Sequence, residues 1–375
     1  MSNKLKRIIS SVLTVVMLFG LVCNSAVFPA YAADACGYDP AKTMSELDLS
    51  GEEALAGKSY SISTADELCV FAKYVNAGKL TEGVTFYLTS DIKLSNVTWT
   101  PIGSKAALAF KGVFDGCGYA VLKLTVDSQE NDQALFGYVS GSNAEIKNIG
   151  VEGTLNGQAN TAGIVSNLNG AKIANSWNAV DVTGTYNVGG IAANVNGGTV
   201  TNCTNYAYIS GTGSVGAIAG TLDGVSTVEY SYYVYYSADK GVGSQSGSST
   251  QSVYRFSTSS TEVLAEKELT VGGKTSDNML TLLNEWLDTQ EKGHNYRSWV
   301  FDTSTNTKQR VDGNYPSLEY PDYIAPTEST YTATATMTAL YEAKQNGVEG
   351  GCYSISNTDE LKYFRDYVNQ GFKTD

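Results

Sequence analysis

Three consecutive stretches of equal length decide the fold: AEIKNIGVEGTLNGQANTAGIVSNLNG over Ala144–Gly170, AKIANSWNAVDVTGTYNVGGIAANVNG over Ala171–Gly197, and GTVTNCTNYAYISGTGSVGAIAGTLDG over Gly198–Gly224. Laid over one another without gaps, at a period of 27, they place Ile146, Ile173 and Val200 in one column and Leu155, Val182 and Ile209 in another. Ile164, Ile191 and Ile218 form a third, and Leu168, Val195 and Leu222 a fourth. Each stretch ends on a turn pair: Asn169-Gly170, Asn196-Gly197 or Asp223-Gly224. A short fixed period means that one unit cannot bury its apolar face alone and must stack on its neighbours. Within a unit the apolar residues alternate, as in Val180-Asp181-Val182, and Gly or Asn breaks each run before a helical stripe can form. The expectation is therefore all-β: a right-handed parallel β-helix with three short strands per coil, one coil to each period of the sequence, its coils about 4.8 Å apart.

One column is polar. Asn148, Asn175 and Asn202 recur at the same place in each unit. An asparagine repeated coil after coil can bond the next coil's asparagine and the local backbone, so these three are read as a structural ladder. As ligands for sugar or calcium they are the poorer reading, because few carboxylates share their line.

Outward from the repeats, Ser63-Thr64-Ala65-Asp66-Glu67 carries a helix-opening capping box, Thr64 to Glu67. Leu68, Phe71, Ala72 and Val75 then make one apolar face and Gly78 a stop. A helix near Asp66–Asn76 is expected to cap the open end of the stack. Downstream, Ser244–Ser260 reads as a Ser/Gly/Thr loop and Asp277–Thr289 as a second amphipathic helix.

A second, larger repeat follows. Tyr60–Thr81 returns at an offset of 293, with 13 of 22 positions identical between Tyr60 and Thr81 and their counterparts at Tyr353 and Thr374. The divisions expected are an export signal at 1–32, an N-terminal segment at 33–58, a β-helix module at 59–320, a Thr-rich linker at 321–351 and the start of a second module at 352–375.

The export signal rests on Lys4, Lys6 and Arg7, an apolar run from Ile8 to Val22 and the small–x–small site Ala30-Tyr31-Ala32. Of 25 basic residues those three precede the cleavage site, leaving 22 against 38 acids, a net charge of −16. So acidic a chain is poorly matched to nucleic acid or an anionic membrane, and no later stretch is apolar enough to span a bilayer. The expected location is secreted or cell-wall-associated. The remaining cysteines, Cys36, Cys69, Cys117, Cys203 and Cys352, form no CxxC pair, leaving buried thiols with room for one bridge among the first three.

The lines Val188-Gly189-Gly190-Ile191 and Val200-Thr201-Asn202-Cys203-Thr204-Asn205 resemble the GLUG repeat of large bacterial secreted and surface proteins. The opening Phe114-Asp115-Gly116-Cys117-Gly118 and the tail containing Trp286, Trp299 and Tyr315-Pro316 are similar to the two ends of such domains. The resemblance implies a pectin-lyase-like β-helix on a multidomain surface protein and implies no catalytic residue. It departs from this chain where Gly190 becomes Ala217 and where the pattern dissolves over Val225–Ser237.

Enzymatic chemistry on such a fold needs clustered acids with a basic residue, or two or three carboxylates on adjacent coils. Thr98 to Tyr254 contains no arginine, and Glu145, Glu152, Asp181 and Asp223 occupy four different columns. Only a loop grouping of Asp127, Glu130 and Asp132 stays open, and the single histidine, His294, stands in no metal motif. No cofactor or metal site is expected. The candidate binding residues are the tyrosines of one short run, Tyr230, Tyr232, Tyr233, Tyr235 and Tyr236, with extracellular glycan or a surface protein as partner. The competing expectations are a spacer role, a polysaccharide lyase or hydrolase, and accessory repeats of a surface peptidase.

Overall fold

The computed structural model describes residues 42–44, 57–234, 236–255, 268–271, 274–291, 295–300, 316–319, 335–336 and 353–354. The proposed export signal, Cys36, Cys352, His294 and Tyr235 lie outside the described residues.

The chain forms a parallel β-solenoid whose coils repeat at about the period of the sequence. Among the described residues the first stack of strands has nine rungs. They are Lys42–Thr43, Ser59–Ile62, Thr85–Leu88, Val113–Asp115, Glu145–Lys147, Lys172–Ala174, Thr199–Thr201, Thr227–Tyr233 and Thr250–Arg255, each paired in parallel with the next. A second stack continues in the same sheet through Ala120–Asp127, Gly150–Asn156, Trp177–Thr183 and the pair Thr204–Asn205 and Ile209–Ser210. A third stack, in a separate five-stranded sheet, holds Phe136–Ser140, Val165–Asn169, Ala192–Asn196, Ala219–Asp223 and Val242–Gln245. The apolar columns of the sequence are the register of the sheets: Ile173 faces Ile146 on one side and Val200 on the other, and Val182 faces Leu155 and Ile209. All six side chains are buried.

Two segments expected to be irregular are strands. Thr227–Tyr233 continues the first stack, with Thr199 facing Thr227 one position beyond the regular period and a bulge before Ser231. Val242–Gln245 and Thr250–Arg255 lie across the expected Ser244–Ser260 loop. A solenoid rung takes its backbone hydrogen bonds from the rung beneath, so pairing outweighs the weak strand preference of Ser and Gly.

The helix Ala65–Asn76 closes one end of the core. Thr64 caps it by accepting from the Glu67 N–H, while the Glu67 carboxylate accepts from the Ser63 backbone N–H and hydroxyl, each at 2.7 Å. Its Phe71 ring sits 4.5–6.5 Å from the rings of Phe86, Phe110, Phe114 and Phe136, so one side chain covers residues of several coils. The second helix, Met279–Asp288, lies outside the barrel of coils. With Trp299 and Leu318 it roofs the outer face of the second stack, burying Trp177, Tyr206 and Tyr232 in a separate cluster.

A separate compact unit contains the strand Ala335–Thr336, paired in parallel with Tyr353–Ser354. Its register, Ala335 to Tyr353 and Thr336 to Ser354, repeats that of Lys42 to Tyr60 and Thr43 to Ser61 at the same offset of 293. The first strand of that pair falls within the stretch expected to be a linker.

Candidate functional site

The asparagine column is hydrogen-bonded from coil to coil. Asn148, Asn175 and Asn202 are fully buried and left-handed, with φ of 52°, 50° and 52°. That region is one asparagine tolerates, because its short amide bonds local backbone. Asn202 donates to the Asn175 side-chain oxygen at 2.8 Å, Asn175 donates to Asn148 at 2.9 Å, and Asn148 donates to Asp115 at 2.8 Å. Asp115 is buried at the foot of the column, 3.7 Å from Lys147. Period-27 columns overlooked in the sequence do the same: Asn178 donates to Asn205, Asn187 to Asn160 and Asn194 to Asn167. The recurrence of asparagine at that period was their visible signal.

The ladder also holds a strap. The Asn295 carbonyl accepts from Asn148, the Arg297 carbonyl accepts from Asn175, and the Trp299 indole donates to Asn175 at 2.7 Å. Tyr296 fills a charged box beside it. Its hydroxyl donates to Glu145 at 2.8 Å and accepts from Lys172 at 2.7 Å, and burial followed by the Glu145 charge pushes its phenol far upward. These groups are consumed in holding the strap and stand as structure.

The tyrosine run is sorted by the fold. Tyr233 points into the main core, 5% exposed, and Tyr232 points outward but lies at 2% under the second helix, its ring 5.8 Å from Tyr254. Both therefore leave the candidate contact surface; strand alternation separates them, and the roof over the outer face covers the one that solvent would otherwise reach. Tyr230 and Tyr236 are exposed, at 46% and 38%, and Tyr208 and Tyr186 more so, at 55% and 61%. Tyr208 stands on the seventh coil, where its backbone N–H bonds the Asp181 carboxylate below.

The acids are spread as their columns suggest. Asp132 spends one oxygen on Asn160 and Asn167 and the other on the Tyr138 hydroxyl, which burial and that carboxylate push up to about 12. Asp223 accepts from Ser246, and Glu152 is raised by burial. Among the described residues no three His, Cys, Asp or Glu side chains are grouped to hold a metal ion. Cys69 and Cys203 are free thiols. Cys117 is disulfide-bonded.

No family model and no curated protein matches the chain. The GLUG resemblance accordingly rests on sequence motifs. Among solved structures, a candidate immunoglobulin A1 protease from Bacteroides ovatus, known from a crystal structure at 1.30 Å resolution, is similar. The two share 16% identity and a TM-score of 0.49 over 72% of this chain and 95% of that one. A likeness this distant carries nothing about activity.

Proposed function

We propose that this chain is an exported, non-enzymatic surface repeat module that contacts extracellular glycan or protein through its solenoid. The carrying observation is the exposure of Tyr186, Tyr208, Tyr230 and Tyr236 on a scaffold whose coils are locked by sheet pairing and asparagine ladders. Rigidly held aromatic surface gives contact area at little entropic cost. The disulfide at Cys117 and the acidic balance suit an oxidising, extracellular setting. Carboxylates bound up at separate positions favour contact over catalysis.

The test is to incubate the mature chain, with calcium, on pectin and related polyuronides, and in parallel on arrays of glycans and of extracellular proteins. Retention on an array without sugar release is the expected result. Release of unsaturated or reducing ends that disappears on replacing a carboxylate would establish a lyase or hydrolase instead.

A further inference from the structure

The charges of the solenoid are unevenly placed. Residues 57–111, in its first coils, hold six lysines against four acids, whereas residues 112–255 hold five basic residues against ten acids. Three of the four early acids are spent or remote. The Glu67 carboxylate is bound to Ser63, Asp91 accepts from the Ala120 N–H at 2.9 Å, and Asp66 stands in the first turn of the N-terminal helix. At the other end of that helix several segments converge. Lys73 lies in the last turn, and Lys79 follows it, its N–H bonded to the Tyr74 carbonyl. Asn76 accepts from the Ser104 N–H at 2.8 Å and donates to the Pro101 carbonyl, which brings Lys105 beside the helix end. The Lys111 N–H bonds the Thr81 hydroxyl at 3.0 Å, and a Cβ at Gly78 would touch Leu108 at 3.5 Å. Lys73, Lys105 and Lys111 are exposed and Lys79 is half-buried. Among the described residues none of these four has a carboxylate partner, whereas the lysines Lys147 and Lys172 are paired. In the same segments Leu80 is 43% exposed, and Ala77, Ala106 and Ala107 are open to solvent.

Four cations without carboxylate partners, with Glu82 the one acid beside them, form a local field that an anionic partner complements. Residues 57–111 contain no arginine, hence no planar fork to hold a single carboxylate or phosphate in two bonds. Separate, flexible lysines instead suit charge repeated along a chain. Leu80 and the alanines add apolar contact for the ring faces of a sugar. One large apolar side chain is too little to seat the protein in a lipid surface. We infer that this corner of the first coils is a docking site for an anionic polysaccharide, one bearing repeated carboxylates or sulfates. The later coils, acidic on balance, repel such a polymer and leave the lysine corner as its seat. The inference goes beyond the contact function proposed above, because its residues are distinct from the exposed tyrosines.

The experiment compares the full chain with a triple variant, Lys73→Ser, Lys105→Ser and Lys111→Ser combined, and with Lys240→Ser, an exposed lysine on a later coil. Binding is measured to oligogalacturonate, heparin, a neutral cello-oligosaccharide and phosphatidylglycerol vesicles, at low and at physiological salt, with melting temperatures as the folding control. Expected is binding to oligogalacturonate or heparin that weakens as salt rises and falls about tenfold in the triple variant. Lys240→Ser should leave it unchanged. Anionic binding untouched by the triple variant, or lowered as much by Lys240→Ser, overturns the site. Equal binding of the neutral oligosaccharide, or binding to the vesicles and to neither anionic glycan, overturns the ligand class. Failure to bind either anionic glycan, with a neutral glycan or a protein still retained on the arrays, overturns this inference and leaves the contact function standing. Silence toward every glycan and protein defeats both.

Discussion

Asn175 combines a left-handed backbone with four hydrogen bonds: to Asn148 and Arg297 as donor, and from Asn202 and Trp299 as acceptor. Asn175→Ala loses both features and is expected to cost about 2–4 kcal/mol in urea unfolding; Asn175→Gly, which keeps the backbone, should cost about 1 kcal/mol less. Equal stability of all three proteins would deny the ladder any energetic role. One coil further, the column holds Tyr230, left-handed at φ 47°, and the Asn202 side-chain oxygen below is buried without a hydrogen-bond partner. Tyr230→Asn should extend the ladder by one rung, relieve the backbone and raise stability by about 1 kcal/mol, roughly 2–4 °C in Tm. A fall in Tm would show that the ladder ends for another reason. Cys203 gives a pH test. Burial raises its thiol from 9.0 to about 12, so the folded state favours the neutral form. Its contribution is complete below pH 9.0 and lost as pH rises toward 12. Tyr138, raised from 10.0 to about 12, adds a loss that begins higher. Stability should therefore fall above pH 9.0, and Cys203→Ala should shallow the early part of that fall; an unaltered slope would count against a buried neutral thiol.

At the scale of elements, the N-terminal helix shows how a short amphipathic segment serves a stack of coils. Its capping residues lie next to one another in the sequence, and its N-terminus could be placed from Thr64 and Glu67 alone. What its apolar face meets could not, because Phe86, Phe110, Phe114 and Phe136 come from distant segments. Phe71→Ala is expected to cost about 3–5 kcal/mol and Thr64→Ala only about 1 kcal/mol, measured as shifts in the denaturation midpoint. Comparable losses would mean that the helix is held by its cap and not as a plug. The strands Val242–Gln245 and Thr250–Arg255 make the opposite point. Their Ser- and Gly-rich sequences carry little strand signal, and they are extended because a paired rung lies beneath them.

For the whole molecule, the solenoid from Lys42 to Glu319 contains all three hydrophobic clusters found among the described residues. Deleting Tyr323–Asp375, which belongs to the other compact unit, should leave the main melting transition in place in a calorimetric scan. A drop of more than a few degrees would show that the first module depends on the second.

The period of 27, the core columns and the asparagine ladder were legible without coordinates, since in a stacked parallel fold each column of the alignment is a row of contacts. The tyrosine-rich run was legible only as a composition. Which of its rings face solvent was settled by a helix and a returning strap much later in the chain, Met279–Asp288 with Trp299 and Leu318, which cover Tyr232 and leave Tyr230 and Tyr236 open. Periodicity records neighbours one coil apart. It holds no record of a segment that crosses the coils, and that crossing, fixed by Asn175, Trp299, Gly118 and Glu319, decides which outer faces of the coils are covered.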